Sequence, residues 1–104
     1  MPQTDKILSY IGISKKAGRI VIGTELTCAA VRDGKIKLAV LAADASANTE
    51  KRLCNCCEYY GVKSIKCGFT SDMLGRAAGS YGKVASVGLT DEGLSKAITD
   101  LIKQ

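Results

Sequence analysis

Residues 38–43, Leu-Ala-Val-Leu-Ala-Ala, form an apolar run in which polar and apolar side chains do not alternate. A strand that exposes one face to solvent alternates, whereas a strand covered on both faces is continuously apolar. The run therefore predicts a strand that is buried on both faces. We place this strand at the centre of the predicted sheet.

On both sides of the central strand, predicted helices and strands alternate, which is the signature of an α/β layer fold. Thr24 and Thr90 are predicted N-caps of two helices, and Thr70 or Ser71 is the predicted N-cap of a third. No linker or internal repeat interrupts the pattern, so one domain spanning residues 1–104 is expected. The other predicted strands are 19–22, 62–67 and 83–89, and the predicted helices are 4–17, 24–33, 48–60, 71–78 and 91–102.

The charge of the chain is positive and unevenly distributed along the sequence. The 104 residues contain 15 Lys and Arg against 10 Asp and Glu, a formal charge of +5, and the pI is near 9.0. Residues 1–43 hold seven of the bases and three of the acids. This excess suits a polyanionic partner, with improved solubility as the alternative. A charged binding surface is expected mainly on the N-terminal half.

Cysteine usage and hydropathy indicate the compartment. The five cysteines are an odd number, and Cys54, Cys56 and Cys57 crowd one predicted helix, where neighbours cannot reach disulfide geometry. We also expect no signal peptide and no membrane span, because no apolar stretch has the required length and flanks. A reducing, cytoplasmic location is the prediction.

The residue types give little support to catalysis or metal binding. Histidine is absent, which removes the commonest general base and metal ligand. Cys54 and Cys57 form a C-x-x-C pair on one side of the predicted helix, whereas Cys56 points to a different side. A tetrahedral zinc site needs four ligands, and the sequence has no second C-x-x-C pair to complete it. We interpret Cys54 and Cys57 as small buried apolar side chains, with a reactive Cys56 as the alternative. No cofactor, metal or catalytic residue is predicted.

Gly23 precedes the predicted N-terminus of a helix. Backbone N–H groups at such a position can hold a phosphate or a base edge, although an ordinary turn followed by a capped helix explains the same residues. The chain contains neither of the glycine-rich motifs that cradle nucleotide phosphates. Nucleotide-dependent chemistry is therefore not predicted.

Four segments occur in an order that resembles the L7Ae ribosomal-protein family, nearest its short bacterial YlxQ-like branch. They are KILSYIGISKKAGRIVIGTELTCAAVRDGKIKLAVLAADAS at 6–46, CEYYGV at 57–62, LGRAAG at 74–79 and GLTDEGLSKAI at 88–98. The resemblance covers nearly the whole chain. It implies a three-layer α/β/α sandwich around a mixed four-stranded sheet, and recognition of kink-turn RNA.

The resemblance implies that RNA is read by the helix that begins at the family segment G-x-N-E-x-x-K-x-x-x-x-G. Here Gly23 and Gly34 keep their spacing and Thr24 stands at the unspecified second position, whereas Glu25 replaces Asn, Leu26 replaces Glu and Ala29 replaces Lys. A carboxylate at Glu25 can accept hydrogen bonds from an exposed guanine edge, but it repels phosphate. The substitution at Ala29 removes a cation. We therefore expect modified or weakened contacts with kink-turn RNA.

The second implied contact is the loop 67–73, which precedes the LG-x-A-x-G segment. Phe69 and Thr70 lie in this loop, and the Phe69 ring is predicted either to stack on an extruded base or to pack on its own domain. Lys35 and Lys37 flank the central strand. They are expected to contact phosphates, with solvated lysines as the alternative.

The leading hypothesis is an RNA-binding accessory protein of the translation machinery, without enzymatic activity. Its expected partners are structured RNA, including ribosomal RNA, and the ribosome or translation factors. The alternative is a protein-interaction module that keeps the fold after losing RNA recognition.

Overall fold

The computed structural model describes the backbone of residues 2–103 and the side chains of residues 5–102. The described residues form five helices and four strands. The helices are α1 (Pro2–Lys16), α2 (Thr24–Arg32), α3 (Ala47–Tyr59), α4 (Ser71–Ala77) and α5 (Glu92–Lys103). The strands are β1 (Ile20–Ile22), β2 (Leu38–Leu41), β3 (Lys63–Lys66) and β4 (Ser86–Leu89). The predicted alternation is confirmed, and the strands are shorter than predicted.

The strands form one mixed four-stranded sheet in the order β1-β4-β2-β3. Strand β2 pairs in parallel with β3 and antiparallel with β4, which in turn pairs antiparallel with β1. All four residues of β2 are buried. The prediction that the apolar run is an interior strand covered on both faces is therefore confirmed.

Helices cover both faces of the sheet and divide the core in two. Side chains of α1, α4 and α5, including Ile11, Leu74 and Ile98, pack with Val40 of β2 on one face. Side chains of α2 and α3 pack with Leu41 and its neighbours on the other face. The fold is thus the three-layer α/β/α sandwich that the family resemblance implied.

Two predicted helix caps are wrong, and each differs from the observed cap by one residue. Asp91, not Thr90, accepts a hydrogen bond from the backbone N–H of Leu94, at 2.8 Å. The N-cap of α2 is Gly23, and Thr24 is the first helical residue. In both cases the residue next to the predicted cap is also of a type that is common at the N-cap position.

The directions of the strands give the sheet two distinct edges. Strands β1 and β2 run antiparallel to β4, and β3 runs parallel to β2. The first three strands therefore point in one direction and end on the same side of the sheet, at Ile22, Leu41 and Lys66. We call this side, where β4 begins at Ser86, the carboxyl edge. The opposite side, where β2 begins at Leu38, is the amino edge. Helices α2 and α3 both start at the carboxyl edge and run towards the amino edge.

Within residues 2–103, none of the helices has the length and apolar character needed to cross a membrane.

Candidate nucleic-acid interface

The helix α2 begins at the carboxyl edge with an open first turn. Gly23 has φ 97° and ψ 150°, a conformation that favours glycine, and its carbonyl accepts from the N–H of Thr27 at 2.9 Å. No side chain caps this end of the helix. Backbone N–H groups in a first helical turn lack intrahelical partners, so they can donate to a phosphate or a base edge.

The hydroxyl of Thr24 is engaged inside the protein rather than in capping. Its Oγ1 lies 2.6 Å from the Oγ of Ser86, which is fully buried at the start of β4. The backbone N–H of Gly23 also donates to the carbonyl of Ser86, at 2.9 Å. These two contacts fix the start of α2 against the end of the sheet. Thr24 therefore positions the helix, and its hydroxyl is not free to contact a ligand without leaving Ser86.

Glu25 and Leu26 project from the first turn into solvent. The side chain of Glu25 is 73% exposed and forms an ion pair with Arg52 of α3, while Leu26 is 63% exposed. Because Arg52 lies beside the carboxylate, it offsets the repulsion that Glu25 would exert on a phosphate. Both side chains are exposed, so the pair itself adds little to stability. Ala29 lies one turn further along α2 and is half-buried.

The loop 67–73 lies at the same edge and is anchored by Asp44. This carboxylate follows β2 and accepts hydrogen bonds from the backbone N–H of Ser71 at 2.7 Å and from its hydroxyl at 3.0 Å. The bond from the Ser71 backbone holds the pKa of Asp44 below its ordinary value of 3.8. Thr70, one of the two predicted caps, is confirmed as the N-cap of α4, accepting from the N–H of Met73 at 3.3 Å. The carboxylate thus couples the end of β2 to the start of α4.

The predicted stacking of a base on Phe69 is wrong for this conformation. The Phe69 ring is fully buried in the core. The backbone carbonyl of Phe69 accepts a hydrogen bond from the N–H of Ala43 at 2.8 Å. The alternative interpretation, that the ring packs on its own domain, therefore holds. The exposed residues of the loop are Gly68 on one side of Phe69 and Thr70, Asp72 and Met73 on the other.

Lys35 and Lys37, which were expected to contact phosphates, lie apart from the first turn of α2 and the loop 67–73. Both lysines follow α2 and precede β2, so they lie at the amino edge, where the N–H of Lys37 donates to the carbonyl of Leu89 at 2.7 Å. The nine residues of α2 separate them from Gly23, a span of roughly 13 Å at the usual helical rise. They are exposed but do not face the first turn of α2.

Other cations lie nearer to the carboxyl edge. Arg52 contacts Glu25, and Lys66 ends β3 and donates to Glu50 at 2.9 Å. Lys83 is near enough to Asp44 to help lower the pKa of that carboxyl. None of these three cations could be placed at this edge from the sequence, because their positions depend on helix and strand packing. The presence of Asp44 directly after a buried strand was a usable signal, since ligand sites in α/β sheets gather at such strand ends.

The cysteines lie mainly between α2 and α3. Cys57 is fully buried, Cys28 is nearly so, and Cys54 and Cys56 are half-buried. Burial raises the pKa of Cys57 to about 12, and burial together with the neighbouring Cys56 raises the pKa of Cys28 to about 11. Burial alone raises the pKa of Cys67 to about 11. Within the described residues, no group of three or more potential ligands is arranged to hold a metal ion.

These features define a three-layer α/β/α domain with an open helix N-terminus and an anchored loop at one edge of its sheet. The chain belongs to the ribosomal protein L7Ae/L30e/S12e/Gadd45 family, whose sequence profile matches residues 5–99. The resemblance found in the sequence is therefore confirmed.

Named relatives and solved structures agree with this assignment. The chain is 34% identical over 98 residues to the RNA-binding protein YlxQ of Enterococcus faecium, covering 94% of this chain and 92% of that protein. It is 33% identical over 92 residues to the RNA-binding protein YlxQ of Bacillus subtilis, covering 88% and 90%.

A solved structure of a Bacillus halodurans protein of unknown function matches at 32% identity with a TM-score of 0.87, covering 95% of this chain and 98% of that one. The Giardia lamblia 15.5kD RNA binding protein matches in fold, with a TM-score of 0.81 at 21% identity over 99% of this chain and 87% of that one.

Proposed function

We propose that this chain is an RNA-binding protein that recognises bent or kink-turn-like RNA at its carboxyl edge. The observation that carries the proposal is the first turn of α2, which no side chain caps and which lies at the same edge of the sheet as the loop 67–73. Two relatives of matching length are named RNA-binding proteins, which supports the same role. Binding rather than catalysis is the proposed activity, and residues 1–104 act as one domain.

In the proposed complex, neutral donors and shape contribute more than charge. The N–H groups of the first turn meet a phosphate or a base edge, and Glu25 accepts from a guanine edge while Arg52 balances its charge. Leu26 and Ala29 stand where the family segment usually has Glu and Lys, so two polar contacts are missing. Affinity for a standard kink-turn RNA should therefore be lower than in relatives that keep both.

The proposed setting is the translation machinery, with ribosomal RNA, the ribosome or translation factors as partners. Ribosomal proteins are among the similar chains, including the large ribosomal subunit protein eL30 of Spodoptera frugiperda, at 30% identity. Crosslinking in cells followed by sequencing of the bound RNA tests this setting. Recovery of messenger RNA without ribosomal RNA would contradict it.

The test of the proposed surface is a pair of charge-matched variants. Met73→Glu adds a carboxylate at the carboxyl edge and, three residues after the Thr70 cap, completes a capping box, so folding should be preserved. Ile13→Glu adds the same charge at a position on α1 that is 49% exposed. We expect Met73→Glu to weaken binding to a kink-turn RNA by about fivefold or more, and Ile13→Glu to have little effect. Equal losses in both variants would place RNA on another surface.

A second candidate function is a protein-interaction module, favoured by the apolar side chains at the same edge. Leu26 is 63% exposed and Met73 is 38% exposed, and neither side chain is suited to phosphate. Salt dependence separates the two functions. RNA binding should weaken as salt is raised because counterions are released, whereas an apolar protein contact should change little.

A further inference from the structure

Two cysteines from different helices meet at the seam between α2 and α3. The Sγ of Cys56 donates to the backbone carbonyl of Cys28 at 3.6 Å, although 28 residues separate them in sequence. The Cys56 thiol is also near enough to the Cys28 thiol to help raise the pKa of Cys28. Both cysteines are free thiols in this structure.

The register of the two helices explains why these cysteines meet. Helices α2 and α3 run in the same direction from the carboxyl edge, and the ion pair between Glu25 and Arg52 links their first halves. Cys28 lies three residues after Glu25, and Cys56 lies four residues after Arg52. Both separations are about one helical turn, so each cysteine lies on the same side of its helix as the charged residue before it. The two thiols therefore form the next contact between α2 and α3 after the ion pair.

We propose that Cys28 and Cys56 are a thiol pair that low-molecular-weight disulfides oxidise to an intramolecular disulfide joining α2 to α3. The more accessible partner is the half-buried Cys56, whose thiolate attacks the disulfide R–S–S–R, forms a mixed disulfide and releases one RSH. The thiolate of Cys28 then attacks the Cys56 sulfur, displaces the second RSH and closes the bond. The protein loses two hydrogen atoms and two electrons, which the small disulfide gains.

The environment of Cys28 assigns the order of these steps. Cys28 is only 6% exposed, so a dissolved disulfide cannot readily reach it, and an intramolecular partner can. Its pKa is raised to about 11, first by burial, so the thiolate is scarce at neutral pH. The ring-closing step should therefore accelerate as pH rises, by about tenfold per pH unit below that pKa.

The other half-buried cysteine of α3 provides a matched control. Cys54 accepts from the hydroxyl of Ser64 on β3, at 3.9 Å, and so points away from Cys28. It lies two residues from Cys56 and is also half-buried. Cys54→Ser should leave the reaction intact, whereas Cys56→Ser should abolish it.

The experiment exposes the full chain to glutathione disulfide and follows its intact mass, with peptide mapping under non-reducing conditions. We expect the wild type and Cys54→Ser to lose two hydrogen atoms and to yield a peptide pair linking residues 28 and 56. Cys56→Ser should not form this product, and Cys28→Ala should retain glutathione as a stable adduct on Cys56. If Cys28→Ala fails to fold, the result with Cys56→Ser and the peptide map still decide.

Three results would overturn the proposal. These are a stable glutathione adduct on the wild type without ring closure, loss of two hydrogen atoms in Cys56→Ser, or a crosslink between other cysteines. Thermal unfolding gives an independent readout, because a bond between α2 and α3 restricts the unfolded chain. Oxidation should raise the midpoint by about 5 °C or more, and a reducing agent should reverse the rise. No step of this test depends on RNA binding, so it can fail or succeed separately from the proposed function.

Discussion

Restoring a cation at position 29 should tighten binding to kink-turn RNA. Ala29 lies one turn beyond Glu25 and is half-buried, so a lysine stem can lie along the helix while its ammonium group reaches the carboxyl edge. One charge-assisted contact with phosphate contributes about 1 kcal/mol. However, Glu25 stands four residues before position 29, and a Glu–Lys pair at this spacing stabilises the unbound protein by about 0.4 kcal/mol. This pair opposes the contact of the lysine with phosphate. The net gain for Ala29→Lys is about 0.6 kcal/mol, or roughly threefold in affinity.

Adding Glu25→Asn should enlarge the gain beyond the sum of its separate parts. The amide removes the competing carboxylate, offers both a donor and an acceptor to a base edge, and releases Arg52 from its ion pair. We expect the double variant to bind about tenfold more tightly than the wild type, which corresponds to about 1.4 kcal/mol. Glu25→Asn alone should give an intermediate value.

The measurement is fluorescence anisotropy of one labelled kink-turn RNA with the four proteins at fixed salt, with an unbent duplex of equal length as control. Lys37→Ala is a reference variant that changes a charge at the amino edge, far from the proposed binding surface at the carboxyl edge. Nanomolar binding by the wild type, with no improvement in any of the three variants at positions 25 and 29, would refute the reasoning. Glu25 and Leu26 would then form a competent surface without the cation at position 29.

Other predictions test the two edges, the anchored loop and the core. Replacing Lys35 and Lys37 together with Ala should leave the RNA salt slope nearly unchanged, whereas a clear fall would assign phosphate contacts to the amino edge. The folded pKa of Asp44 is depressed, so its contribution to the unfolding free energy is present above pH 3.8 and is lost as pH falls below that value. Asp44→Asn should therefore destabilise the protein at neutral pH, and the difference from wild type should narrow in acid denaturation series. Gly88→Ala should lower the free energy of unfolding, measured in urea, by about 1 to 3 kcal/mol, because the new Cβ would lie 2.7 Å from the Cδ1 of Ile36. An unchanged midpoint of unfolding would contradict tight packing at this position. Native mass spectrometry should find no stoichiometric zinc.

The local elements of the fold could be predicted because their causes are local. The apolar run 38–43 and the helical spacing near the C-terminus depend on neighbouring residues, and both predictions hold. The strand order and the mixed pairing could not be derived from such patterns. They entered through the family resemblance, which carries long-range information that spacing does not.

The candidate site was predicted less well, because a site joins residues that are distant in sequence. The first turn of α2 was identified from Gly23 and its helix, since both belong to one segment. The direction of the Phe69 ring could not be predicted, because an aromatic side chain in a loop can point to solvent or into the core. Which of the two occurs depends on whether the core has room for the ring. The ion pair of Glu25 with Arg52 had no sequence signal, since it depends on α2 and α3 lying side by side.

The position of Lys35 and Lys37 follows from the direction of α2. Strand β1 ends at the carboxyl edge and β2 begins at the amino edge, so α2 carries the backbone from one edge to the other and the residues before and after it lie at opposite edges. A charge excess in one half of the sequence therefore does not become a charge excess on one surface. At the carboxyl edge two cations, Arg52 and Lys66, face carboxylates, and the net positive charge available to phosphate is small. RNA recognition at this edge should thus weaken with salt less steeply than the net charge of +5 would suggest, and should depend strongly on the backbone donors of α2 and on RNA shape.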